Sequence, residues 1–131
     1  DINECKASAN LKPLDALTVG IKTSHLPLAI YNNKDEPVFV VGVVPQGKNS
    51  GLIWLLSSPE LNNMPMTFLR NCKDVLECYH KTFPVLYNYI DARNTLHMTW
   101  LKWLGFQFIK VHPKFGYQQI KFMEFFKCVL P

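Results

Sequence analysis

The stretch from Asn94 to Phe106, NTLHMTWLKWLGF, decides the fold. Asn94 or Thr95 caps a helix, because a short polar side chain can accept from the free amides of the first turn. Leu96, Trp100, Trp103 and Leu104 recur at intervals of three and four and predict one broad apolar stripe. Gly105 falls where a helix ends on a left-handed residue, and Phe106 can fold back onto the stripe. The segment is therefore an amphipathic helix with both ends marked.

The flanking segments keep this regularity. Upstream, Val85 to Asp91 alternates Val-Tyr-Tyr against Leu-Asn-Ile, which predicts a strand covered on both faces. Before it, Phe68, Leu69, Cys72, Val75, Leu76, Tyr79 and Phe83 trace a helical stripe from Thr67 to Phe83, stopped by Pro84. Downstream, Phe106 to Val111 and Ile120 to Phe126 read as strands, with His112 to Gln119 as a loop marked by Pro113 and Gly116. Nearer the start, Leu26 to Tyr31, Val38 to Val44 and Leu52 to Ser57 form three strands. Two turns rich in Asn, Gly and Pro join them, as in an antiparallel meander. Ahead of these, Asp1 to Ala9 and Pro13 to Ile21 read as short helices.

The order is helix, helix, three strands, helix, strand, helix, two strands in a single domain, 1–131. It is an α/β (α+β) pattern: a mixed, mainly antiparallel sheet flanked by helices. With Asn94 followed eleven residues later by Gly105-Phe106, it resembles the GCN5-related N-acetyltransferase (GNAT) fold with its N-terminal strand missing. The segments GLIWLLSS, FLRNCKDVLECYHKTFP, LYNYIDARNTLHMTWLKWLGF and IKFMEFF are similar, in order and spacing, to the GNAT-like internal virion proteins of short-tailed, T7-like bacteriophages. In such a fold the strands at Leu52 to Ser57 and Val85 to Asp91 run parallel, with the helix Thr67 to Phe83 crossing between them.

The resemblance implies a coenzyme A site, and the residues depart from it. GNAT enzymes hold the pyrophosphate with a Gln/Arg-x-x-Gly-x-Gly/Ala loop, whose glycines let backbone amides wrap the phosphates. The matching stretch here is SPELNNMPMTF, and no glycine occurs between Gly51 and Gly105. Pro65 removes an amide donor, and Glu60 sets a carboxylate beside the phosphates. In the later helix the enzyme pattern has Ala three residues and Tyr seven residues after the Asn. Here those positions are His97 and Leu101. The resemblance thus implies no catalytic residue. Asn94 binds cofactor only if acetyl-CoA binds at all.

Other chemistries leave weaker traces. His25, His80, His97 and His112 share no metal-ligand spacing, so no metal site is expected. Cys5, Cys72, Cys78 and Cys128 contain no C-x-x-C pair and are expected as reduced thiols, with Cys72 in the core. No apolar run is long enough to span a membrane. Charge is uneven: from Arg93 onward Arg93, Lys102, Lys110, Lys114, Lys121 and Lys127 face Glu124 alone. That basic third suits an acidic protein or weak non-specific DNA contact. The expectation is a catalytically inactive virion protein without cofactor. It would sit in the particle interior and pass through host cytoplasm during assembly, touching internal core or portal-region proteins. The alternative is an active acyl-CoA-dependent N-acetyltransferase, with acetyl-CoA as its cofactor.

Overall fold

The structure, a computed structural model, describes residues 22–58 and 65–129. The two N-terminal helices expected before Lys22, and most of the connection after Ser58, lie outside the described residues. Six strands form one sheet: β1 (His25–Tyr31), β2 (Pro37–Gln46), β3 (Ser50–Ser57), β4 (Val85–Asp91), β5 (Gln107–Phe115) and β6 (Ile120–Cys128). The helices described whole are α1 (Pro65–His80) and α2 (Thr95–Trp103). The sheet order is β1-β2-β3-β4-β6-β5.

Turn chemistry sets the meander. Asn32 Oδ1 accepts from the main-chain N–H groups of Lys34 and Glu36, so its side chain builds the β1–β2 turn. Gly47 takes φ +76° in the next turn, where Gln46 pairs with Ser50. All neighbouring pairs are antiparallel except β3 and β4. Those two pair only from Ser50↔Val85 to Leu52↔Tyr87, and beyond that point the ladder stops. The short parallel ladder is the feature that positions the site.

The core lies between the sheet and the helices. Val41, Val43, Leu86, Ile90 and Phe125 face Leu69, Cys72, Leu76 and Tyr79 of α1 and Trp100 of α2. The buried Cys72 thiol is pushed up to about 12 by desolvation and behaves as a small apolar side chain. Cys72, Cys78 and Cys128 are free thiols.

Three expectations change. Trp103 is 43% and Leu96 44% exposed, because the buried stripe of α2 is rotated onto His97, Trp100, Leu101 and Leu104. Lys73 Nζ sits 4.1 Å above the Trp103 ring instead of a core partner. Val75 is half-buried at the core's margin, and the side chain of Phe68 lies outside what is described. Finally, the segment from His112 to Phe115 is strand and not loop, with His112↔Phe122 and Phe115↔Ile120 in register. Pro113 is accommodated by a register shift in this terminal strand of the sheet, and the turn contracts to Gly116–Gln119.

Candidate functional site

Where β3 and β4 part, a cavity of about 560 Å³ opens between them. Cross-strand partners share a face, so Ile53 and Leu55, paired with Val43 and Val41, belong to the helix side. Leu52, Trp54 and Leu56 then point to the opposite side. The cavity touches both sets, together with Val75 of α1, Leu101 of α2, Phe115 of β5 and Phe122 of β6. It therefore passes through the plane of the sheet. No Lys, Arg, Asp or Glu lines it among the described residues.

The polar groups on its wall are already engaged. Asn88 spans the gap: its Nδ2 donates to the Ile53 carbonyl and its Oδ1 accepts from the Tyr89 N–H. Its side-chain amide thus stands in for the next rung of the interrupted ladder. Trp54 Nε1 donates to Ser24 Oγ at 2.6 Å, and the indole lies over Gly42 so closely that a Cβ there would meet it at 2.7 Å. Asn94 caps α2 as expected, with Oδ1 accepting from the His97 N–H at 3.2 Å. Its Nδ2 lies 3.0 Å from His97 Nδ1, which accepts from it. The His97 ring stacks on Trp100 at 4.8 Å. The residue read as a possible cofactor contact is thus occupied by its own helix.

Burial lowers His97 and His80 below the ordinary histidine range. His80 Nδ1–H donates to the Phe83 carbonyl at 3.0 Å, and its buried Nε2 has no partner among the described residues. Because both folded values lie below the unfolded one, the unfolded chain binds more protons as pH falls through about 6.5. Their stabilising contribution is present above that pH and lost below it. The melting temperature should therefore drop from pH 7.5 to 5.5, a window above ordinary carboxylate titration. His80→Gln and His97→Gln should each flatten the drop in circular-dichroism melts.

Opposite the helices, His112 Nε2 lies 3.1 Å from Glu124 Oε1, and Tyr89 stacks on Phe115 at 4.8 Å. At the end of β4, Asp91 is 2% exposed and bonded to the Arg93 guanidinium and main-chain N–H. Burial raises its carboxyl, but the Arg93 contacts outweigh that and the net shift is downward. Both residues serve the β4–α2 corner. Lys127, counted above in the basic third, donates from Nζ to the Leu104 carbonyl at 2.9 Å and caps the C-terminal end of α2. No cluster of three metal-ligating side chains occurs among the described residues, and none of their helices is long and apolar enough to cross a membrane.

Sequence reasoning missed Asn88, whose role depends on β3 lying opposite, and Leu101, judged only as a lost tyrosine. The spacing 97, 100, 101, 104 was the available signal for the true stripe, and the exposed Leu96 and Trp103 obscured it.

The interrupted β3–β4 ladder, the helix crossing between those strands and the strand order define the GNAT fold. Solved structures agree. A chimera of the Vibrio cholerae spermidine N-acetyltransferase and hSSAT superposes with TM-score 0.70 at 11% identity, covering 91% of this chain and 78% of that one. A GNAT-family acetyltransferase from Bacillus anthracis gives 0.70 at 10% identity, over 87% and 71%. The ribosomal-protein-S5-alanine acetyltransferase of Vibrio fischeri gives 0.69 at 13% identity, over 88% and 67%. No protein-family model and no curated protein matches the sequence. At these identities the likeness establishes fold and nothing finer.

Proposed function

We propose that the chain is an internal virion protein of a short-tailed bacteriophage, using the GNAT fold as a docking body without acyl transfer. One observation carries the loss of catalysis: the connection after β3 has no glycine, so it lacks the flexible backbone that wraps a pyrophosphate. The cavity wall supports the same reading. A nucleotide thioester brings several negative charges, and the wall among the described residues offers no cation to meet them. Asn94 is committed to the α2 cap, and His97 with Trp100 fills the place where the enzyme pattern has a small residue. Acetyl-CoA therefore does not fit these residues.

Calorimetry with acetyl-CoA tests the reading directly. No saturable heat is expected at micromolar ligand; a micromolar Kd that Asn94→Ala abolishes would overturn it. An active acyl-CoA-dependent N-acetyltransferase is the second reading, favoured by the cavity's position at the strand gap and by the likeness in fold to acetyltransferases.

Docking falls to the basic C-terminal third. Lys110, Lys114 and Lys121 are exposed on β5, β6 and their strand ends, apart from the structural Lys127. They suit an acidic face of an internal core or portal-region protein inside the particle, or a weak hold on packaged DNA. Changing these three to Glu should leave the melting temperature nearly unaltered and lower incorporation into particles. The attraction should fade as salt shortens the screening length below about 10 Å. Normal incorporation and infectivity would remove this surface from the account.

A further inference from the structure

The two terminal strands of the sheet differ in how their outer edges are guarded. β5 carries Lys110, Lys114, Pro113 and two register shifts, features that keep a sheet edge from pairing further. β1 carries no Lys, Arg, Asp or Glu, and its Leu26, Leu28 and Tyr31 are 55%, 36% and 59% exposed. Ser58 N–H donates to the Val38 carbonyl, so Val38 aims its main chain at β3 and Phe39 and Val41 aim theirs at β1. Their partners Ile30 and Leu28 aim back at β2. Asn32 N–H donates to the Glu36 carbonyl, so the alternation in β1 continues past the register shift at Tyr31. Ala29 and Tyr31 therefore turn N–H and C=O outward, and Pro27 turns out its C=O. No described strand lies beyond them. The edge is held in place, because the Tyr79 hydroxyl donates to the Leu26 carbonyl at 2.8 Å.

We infer that two copies of this chain pair through the free edge of β1, antiparallel about a two-fold axis at Ala29, and join their sheets. The register is self-complementary, as an isologous contact requires. Ala29 exchanges both main-chain bonds with the second copy's Ala29, and Tyr31 N–H donates to the second copy's Pro27 carbonyl. Pro27 is asked only to accept, so its missing N–H does not break the seam. Leu28 and Ile30 lie on the helix side, opposite Val41 and Phe39. Across the seam Leu28 meets the second copy's Ile30, and Tyr31 meets its Pro27, apolar pairs of the kind that stabilise neighbouring strands. Charge favours this edge over the rest of the surface. The chain carries +4 and its basic third repels a second copy, whereas the β1 seam sets no like charges against each other. A contact one strand wide is small for a permanent dimer, so the association is weak and reversible. This inference holds whether or not the chain is packaged in a particle.

Sedimentation equilibrium of the full chain tests this, with reductant present so that the exposed Cys78 and Cys128 thiols form no disulfide dimers. The mass should move from monomer towards dimer with a Kd on the order of 100 μM. Ala29→Lys sets two ammonium groups face to face on the axis and should weaken association about tenfold or more. Ala29 is exposed, so the melting temperature of the dilute variant should match that of the unmodified chain. Amide hydrogen exchange on the unmodified chain gives a second reading that needs no variant. The outward amides of Ala29 and Tyr31 should exchange freely when dilute and gain protection as concentration rises through the Kd. A chain that stays monomeric up to about 1 mM would overturn the inference. A dimer that Ala29→Lys leaves intact, or that forms without protecting these two amides, would equally overturn pairing through β1.

Discussion

Trp100→Ala should destabilise the fold by about 3–5 kcal/mol, the range for truncating a large buried aromatic. Trp100 is 7% exposed, lies in the core cluster and carries the stacked His97 ring at 4.8 Å. Truncation enlarges an existing cavity, and the neighbours that would have to collapse into the space are held by a sheet that has already parted. Urea unfolding followed by circular dichroism measures the loss. Trp103→Ala is the internal control: that ring is 43% exposed and touches Lys73, so its loss should stay below about 1 kcal/mol. Equal losses at the two tryptophans would mean that α2 presents a different face to the sheet.

Tyr79→Ala should cost a comparable amount, about 3–5 kcal/mol, by two separable routes. Its ring is 1% exposed at the centre of the α1–sheet contact. Its hydroxyl donates to the Leu26 carbonyl at 2.8 Å and reaches the Val41 carbonyl at 3.3 Å, tying α1 to β1 and β2. Burial, then the nearby Cys78, pushes that hydroxyl up to about 12, so it remains a donor across the neutral range. Tyr79→Phe keeps the ring and removes the donor, and should account for about 1–2 kcal/mol of the total. Paired urea titrations of the two variants separate packing from hydrogen bonding. A Phe variant as unstable as the Ala variant would place the whole effect in the hydroxyl.

Local pattern alone determined much of this protein. Alternation in Val85 to Asp91 returned that strand with its observed ends, since strand period and a following polar cap are written in adjacent residues. Asn94 as cap and Gly105 at φ +94° followed from side-chain and backbone chemistry within one turn. The parallel pairing of β3 with β4 was expected only through the resemblance to the GNAT fold, and the helix standing between them has the length such a crossover needs. Tertiary structure alone decided the rest. Which side of α2 meets the sheet was ambiguous, because leucine and tryptophan occupy positions all around a nine-residue helix. Packing chose His97, Trp100, Leu101 and Leu104 and left Trp103 to a lysine from α1. Lys127 read as a free positive charge until β6 brought it to the end of α2, 23 residues back in sequence. Asn88 read as one polar residue in an apolar strand until β3 stood across a gap from it. A bond between residues 35 positions apart leaves no mark in the spacing of either.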